Sequence, residues 1–274
     1  LANPQLNVFP IREVADIGRE LGVPLIMDNT AAPMICRPLE HGAAVVIYST
    51  TKYIGGHGTS IGGMVVDGGN FDWEAGGDRF PTLNQPDPSY HGAVWTEAVK
   101  PLGPIAYILR IRVILLRDMG SAMSPMNAFQ FIQGLETLAL RMPVHCENAN
   151  KVAAFLKAHD KVSSVIHPSQ QSGEPRRRAD AYLDGGFGGL VGFELKGGKD
   201  AGRRFIDGLE LLYHVANIGD ARSLAIHPAS TTHSQLSAED QVAAGVTPGY
   251  VRLSVGIEHI DDILADLTQA LDKA

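Results

Sequence analysis

The run Ala44-Val45-Val46-Ile47-Tyr48-Ser49-Thr50-Thr51-Lys52-Tyr53 decides the reading of this chain. A short, largely apolar stretch closes on three hydroxyl side chains and a lysine, and that lysine follows Asp28 by 24 positions. Upstream, Val23-Pro24-Leu25-Ile26-Met27 runs into Asp28-Asn29-Thr30 in the same manner. Short apolar runs bounded by turn residues read as buried parallel strands. In open α/β sheets ligands sit beyond the carboxyl ends of the strands, so Asp28 and the segment from Ser49 to Lys52 are expected to face one ligand together. Gly55, Gly56, Gly58, Gly62 and Gly63 follow, as suits a backbone that turns tightly beside a bulky group.

These residue types match what pyridoxal phosphate asks of a protein. The group needs an amine for a Schiff base, a carboxylate that keeps its pyridine nitrogen protonated, and hydroxyl and N–H donors for its phosphate. Lys52, Asp28 and the hydroxyls of Ser49 to Thr51 are one such set. Taken singly each is ordinary: a lysine after a strand is commonly solvated, Asp28-Asn29 suits a turn, and Ser49-Thr50-Thr51 suits a helix cap. Their spacing is what sets them apart.

Composition narrows the alternatives. The chain has 274 residues, 45% of them hydrophobic, enough for one large domain or two moderate ones. A net charge of -7 argues against a nucleic-acid surface. The one basic run, Arg176-Arg177-Arg178, follows Gln170-Gln171-Ser172-Gly173-Glu174-Pro175 and reads as a solvated loop. Two cysteines, Cys36 and Cys146, make no disulfide framework and fit a reducing compartment. None of the ten histidines pairs at metal-site spacing, so no metal is expected. No apolar stretch nears the roughly 20 residues that cross a bilayer. Neither a G-x-x-x-x-G-K-[ST] run nor a G-x-G-x-x-G run after a strand is present, which removes the nucleotide-binding use of the glycines.

Element order suggests a division. Strands and glycine turns occupy the chain to about residue 70, and Phe71 to Gly92 has no clear period and reads as a long irregular excursion. Helical spacing then covers Ile105 to Met119, Asn127 to Leu140 after the Ser124-Pro125 breaker, and Val144 to His159, the last bridging two domains. Strands are expected at Val162 to Ile166, Leu190 to Leu195, Tyr213 to Ala216 and Tyr250 to Ser254, with helices at Ala201 to Leu211 and Ile260 to Leu271. The expected domains are residues 1–140, and an α+β domain over 141–274.

Several runs, in order along the whole chain, resemble the Cys/Met-metabolism family of pyridoxal phosphate enzymes. They are Ala2-Asn3-Pro4, Met27-Asp28-Asn29-Thr30, the Ser49 to Gly58 segment, His227-Pro228-Ala229-Ser230-Thr231-Thr232-His233, and Val251-Arg252-Leu253-Ser254-Val255-Gly256-Ile257-Glu258. Asp87-Pro88-Ser89-Tyr90-His91-Gly92, Gln133-Gly134-Leu135-Glu136-Thr137-Leu138 and Asn217-Ile218-Gly219-Asp220 are similar to its O-acetylhomoserine sulfhydrylase branch.

The resemblance implies an α/β architecture of fold type I, a mostly parallel sheet in the large domain with a smaller C-terminal α+β domain. It makes Lys52 the lysine that carries pyridoxal 5'-phosphate, Asp28 the partner of the pyridine nitrogen, Ser49 and Thr51 phosphate ligands, and Asn3 a contact of the phenolic oxygen. Arg252 would fork onto the substrate carboxylate, helped by backbone at Asn217 and Ile218. The implied activity is a transferase reaction of methionine biosynthesis, in which sulfide or methanethiol replaces the acetate of O-acetyl-L-homoserine to give homocysteine or methionine. A methionine γ-lyase or cystathionine γ-synthase reaction in the same site, or a non-enzymatic binding or structural remnant, are the alternatives. The resemblance further implies a cytoplasmic homotetramer with sites shared across a dimer interface. It also implies an upstream segment with a phosphate loop and a ring-stacking tyrosine, without which the isolated chain should bind cofactor poorly.

Overall fold

The computed structural model describes residues 1–2 and 5–274, in two sheets joined by one long helix. Helix α1 (Ile11–Leu21) precedes strand β1 (Ile26–Asp28), and Gly22, at φ 63°, turns the chain out of the helix in the left-handed conformation that glycine tolerates. Strand β2 (Val45–Ser49) pairs parallel with β1, setting Asp28 opposite Ile47. Strand β3 (Gly63–Asp67) returns antiparallel to β2. Both expected strands form and are parallel, each ending one residue later than expected, at Asp28 and Ser49. Burial holds for the start of β2 but not for β1. Ile26 and Asp28 are exposed, and among the described residues β1 pairs with β2 alone.

Each face of this sheet carries its own packing. Val45 and Val65 turn to a cluster with Trp73, Leu83 and Trp95, while Met27 and Tyr48 turn to one with Ile54, Leu138 and Met142. The Phe71 to Gly92 excursion is irregular in backbone, holding one turn of helix α2 (Pro81–Asn84) before α3 (Trp95–Ala98). It is nonetheless packed. The Trp73 ring stacks on Tyr107 at 4.7 Å and meets Phe80 edge-on at 5.2 Å, contacts each worth about 0.5–1.5 kcal/mol beyond their buried area. Helix α4 (Ala106–Arg110) passes into a π-helical stretch, Ile111–Asp118, where helical spacing was expected.

Two helices expected at 127–140 and 144–159 are one. Helix α5 (Pro125–Ala158) runs 34 residues through Pro143. Ser124 caps it, accepting from Asn127 N at 3.2 Å, with Pro125 in the first turn where its missing N–H costs nothing. Its buried residues recur at helical spacing from Phe131 through Leu138, Met142, Ala149 and Val152 to Leu156. The first half packs on the β1–β2–β3 side and the second half on the other sheet. That two-sided packing holds a helix that an interior proline would weaken by about 3 kcal/mol.

The remainder runs β4 (Val162–Ile166), α6 (Gly173–Tyr182), β5 (Leu190–Leu195), α7 (Gly198–Gly208), β6 (Tyr213–His214), β7 (Leu224–Ile226), α8 (Ala238–Ala243), β8 (Tyr250–Ser254) and α9 (Ile260–Lys273). The sheet order is β4-β5-β8-β7-β6, antiparallel except for β6 with β7. The expected loop around Arg176-Arg177-Arg178 is instead helix α6. Arg176 pairs with Asp180 at 2.8 Å one turn on, and Arg177 and Arg178 both reach Glu174 in its first turn, so local ion pairs favour helix where charge count suggested a loop.

Alternation along β5 and β8 sorts the second sheet. Val191, Phe193, Leu195, Val251 and Leu253 face α7, α9 and the second half of α5, with Phe193 edge-on to Phe205 at 5.4 Å. Tyr250, Arg252 and Ser254 take the opposite face. Arg252 is therefore aimed away from the apolar core and toward the loops that follow β2.

Candidate active site

The carboxyl ends of β1 and β2 are tied to one another. Asn29 N donates to Ile47 O at 2.9 Å, and Ser49 N donates to Thr30 Oγ1 at 2.8 Å. Asn29, 2% exposed, sends its amide to Ala32 O, Cys36 O and Tyr48 Oη, which fixes the turn after β1. Asp28 stands exposed at the strand end and accepts from Thr30 N at 2.9 Å. Thr51 Oγ1 accepts from Gly62 N at 3.1 Å and donates to Gly62 O at 3.3 Å, closing the loop that carries Lys52.

Lys52 leaves that loop half-buried and donates from Nζ to the side-chain oxygen of Asn217. Burial, and then the nearby charge of Arg252, lower its pKa from the ordinary lysine value, which brings the neutral, nucleophilic amine closer to hand. Arg252 is 8% exposed and donates from Nη2 to the backbone oxygen of Asn217 at 3.1 Å. Asn217 therefore bridges the lysine of one sheet and the arginine of the other. Ile218 beside it is buried against Leu6, Ala31 and Leu190.

Glycines make this approach possible. Gly219 sits at φ 73°, and a Cβ there would lie 2.6 Å from Tyr53 N. Gly192, paired with Arg252 across the sheet, leaves room for the Tyr250 ring, whose hydroxyl would be 2.5 Å from a Cβ at that position. Gly219 N donates to Ser254 Oγ at 2.9 Å and Ala221 N to Gly56 O at 2.8 Å, which closes the seam between the sheets.

The structure thus brings together Lys52, Asn217 and Arg252, and beside them Ser49, Thr51 and Asp28 at adjoining strand ends. Asn3 lies outside the described residues. The side chain of Asn217, for which backbone contact alone was expected, reaches Lys52 directly. No local pattern marks that contact. His227, prominent in the sequence, holds a turn: its ring lies 2.8 Å from the Ser230 side-chain Oγ and 2.7 Å from the backbone Pro248 O. Among the described residues no group of three or more His, Cys, Asp or Glu could hold a metal, and no helix is long and apolar enough to cross a membrane. The donor set fits pyridoxal phosphate: an amine with a lowered pKa, a carboxylate at a parallel strand end and hydroxyls beside it, with an arginine opposite.

Comparison with known proteins agrees. An O-acetyl-L-homoserine sulfhydrylase of Leptospira meyeri is 52% identical over 99% of this chain and 62% of its own length. A homocysteine synthase of Schizosaccharomyces pombe is 46% identical over 100% of this chain and 64% of its own. A crystal structure from Campylobacter jejuni, of a provisionally named O-acetylhomoserine (thiol)-lyase holding N'-pyridoxyl-lysine-5'-monophosphate, superposes with a TM-score of 0.91 at 40% identity. It is matched over 99% of this chain and 64% of its own. The chain spans a little under two thirds of the length of these relatives. A family profile described as Cys/Met metabolism PLP-dependent enzyme matches residues 1–272, taking in both sheets and the seam between Lys52 and Arg252. From strand ends to sequence match the chain belongs to the Cys/Met-metabolism family of PLP-dependent enzymes.

Proposed function

We propose that the protein of which this chain is part transfers the aminocarboxypropyl group of O-acetyl-L-homoserine to sulfide or methanethiol. The products are homocysteine or methionine, and acetate. The observation that carries this reading is the bridge of Asn217 between Lys52 and Arg252, which supports an amine of lowered pKa working beside a guanidinium able to take a carboxylate. The names of the relatives above support the substrate and the transferase class.

Pyridoxal phosphate, when bound, supplies an electron sink for charge at the substrate's α-carbon. Lys52 would hold it, Asp28 would keep its pyridine nitrogen protonated, Ser49 and Thr51 would take its phosphate, and Asn3 its phenolic oxygen. Thr51 donates to Gly62 O at a long 3.3 Å, a bond that a charge-assisted one to phosphate outcompetes. Arg252, with backbone at Asn217 and Ile218, grips the substrate carboxylate and so orients Cα toward Lys52. The Lys52 amine moves protons at Cα and at Cβ. Acetate then leaves from Cγ, and the thiol sulfur takes its place there.

We also propose a division near residue 140, a reducing cytoplasmic setting and a homotetramer. The cluster built from residues 149 onward, the two free buried cysteines, and the exposed Met126, Phe129, Ile132 and Leu135 along α5 support these in turn.

The test is to feed O-acetylhomoserine with and without sulfide to the full enzyme and to its Lys52→Ala variant. Homocysteine only with sulfide, and only with Lys52 intact, is expected. Formation of 2-oxobutanoate and ammonia without a thiol would assign a γ-lyase, and cystathionine from added cysteine a cystathionine γ-synthase. If borohydride fixes no cofactor on Lys52, the reading fails.

A further inference from the structure

One edge of α5 is polar where apolar side chains would pack as well. Arg141, His145 and Asn148 lie four and then three residues apart on the buried side of the helix, and none is more than 6% exposed. Each is turned to backbone carbonyls. Arg141 donates from Nη1 to Tyr53 O at 2.8 Å and from Nη2 to Ile54 O at 3.2 Å and Gly134 O at 2.7 Å, with Nε on Thr137 Oγ1 at 3.1 Å. His145 Nδ1 donates to Val255 O at 2.7 Å, and Asn148 Nδ2 to Gly256 O at 3.1 Å and Glu258 O at 3.0 Å. Apart from Gly134 O within α5 itself, the carbonyls belong to two segments: the residues directly after Lys52, and those directly after the strand that carries Arg252.

The cost of this arrangement locates its purpose. No carboxylate appears among these partners of Arg141, and burial lowers its pKa. Enclosing a guanidinium without a counter-charge is expensive. A tight loop leaves carbonyls that no strand or helix ladder satisfies, and a planar fork with several fixed donors serves them where a lysine or an amide cannot. The contact is also shaped for close approach. A Cβ at Gly56 would lie 2.4 Å from Arg141 Nη1, and one at Gly134 would lie 2.4 Å from Ile54 O.

We propose that Arg141 is a positioning residue. Its guanidinium locks the backbone at Tyr53 and Ile54, and so fixes the direction in which Lys52 projects toward Asn217 and Arg252. His145 and Asn148 hold the segment after Arg252 from the same helix, so that one rigid element sets the separation of the two groups. The proposal rests on Lys52 carrying the amine chemistry.

The experiment is amide hydrogen exchange on the holoenzyme with Arg141→Met, Arg141→Lys and Asn148→Leu, alongside the rate of cofactor loss and the split between kcat and KM. Gly55 and Gly56, whose N–H groups bond Thr50 O and Lys52 O, are the reporters. In Arg141→Met their exchange should rise about tenfold or more while amides of β5 and β8 keep their protection. Cofactor loss should quicken and kcat should fall more than KM rises. Arg141→Lys should lie between, and Asn148→Leu should loosen residues 255–258 and raise KM while sparing Gly55 and Gly56. Unchanged exchange at Gly55 and Gly56, or a uniform rise through β5 and β8, overturns the proposal. If Arg141→Met does not fold, Arg141→Lys carries the same comparison. Failure to trap cofactor on wild-type Lys52 is a separate result and defeats the functional reading instead.

Discussion

Lys52 and Arg252, 200 positions apart in sequence, are joined through a single asparagine: the side-chain oxygen of Asn217 accepts from the lysine and its backbone oxygen from the arginine. Two cations share one neutral residue. The partial negative charge on the two asparagine oxygens eases their proximity without neutralising either, and it leaves the lysine short of a counter-ion, which agrees with a pKa lowered by burial and by Arg252.

Replacing Asn217 should therefore tune the lysine in opposite directions. Asn217→Asp supplies a nearby negative charge and should raise the Lys52 pKa, whereas Asn217→Leu removes the acceptor and should lower it further. The loss of a hydrogen bond to a charged group, about 1.5–3 kcal/mol, should reduce kcat/KM about ten- to a hundredfold in the leucine variant. Acylation rates of Lys52 in apoprotein as a function of pH measure the shift, and equal profiles for both variants would contradict it.

Acid stability should depend on His145. Burial, against the raising effect of its bond to Val255 O, brings its pKa from 6.5 to about 4, and Nε2 has no partner among the described residues. The unfolded chain takes up this proton at higher pH than the folded one. Stability is then full above about pH 6.5 and lost as pH falls toward 4, by roughly 3 kcal/mol at most. His167, also brought to about 4 chiefly by burial, adds in the same direction. Urea midpoints between pH 7 and 4 should fall less steeply for His145→Gln than for wild type.

Gly134→Ala inverts the usual rule. Alanine in a helix interior is favoured over glycine by about 1 kcal/mol, but here its Cβ would lie 2.4 Å from Ile54 O and 2.6 Å from Gly55 O. The substitution should lower Tm and hasten cofactor loss. A raised Tm would mean that the loop can retreat from α5 at no cost.

Asp266 should be a point of failure in the second core. It is 6% exposed and accepts from Glu210 N, Leu211 N and Leu212 N at 2.8 to 2.9 Å, ending α7 in place of a strand or helix partner. Asp266→Ala strands these donors, of which the Leu212 N–H is buried, and should cost about 1–3 kcal/mol. Chemical denaturation of Asp266→Ala beside Asp266→Asn, which keeps one acceptor, checks this, and equal midpoints for the two would refute it.

Local signals in the sequence were the dependable ones. β5 and β8 stand at the residues where the sequence reading placed them, and Asp28 and Ser49 sit at neighbouring strand ends as the apolar runs implied. What failed was decided at a distance. Residues 127–140 and 144–159 read as separate helices, yet packing on both sides keeps α5 whole through Pro143. Arg176-Arg177-Arg178 read as a loop because charge count ignores the i, i+4 pairing with Asp180. Asn217 and Arg141 drew no side-chain role, since the atoms they meet lie 165 and 88 residues away.

Helix α5 is about 50 Å of continuous rod at 1.5 Å per residue, and it is common property of both cores. A molecule built on such an axle has no slack tether at its waist. Relative movement of the two sheets must be elastic, taken up as flexure where Pro143 leaves the Ala139 carbonyl without its rung of the ladder. The aperture between Lys52 and Arg252 is then governed by the stiffness of a helix, and widening it means straining the rod.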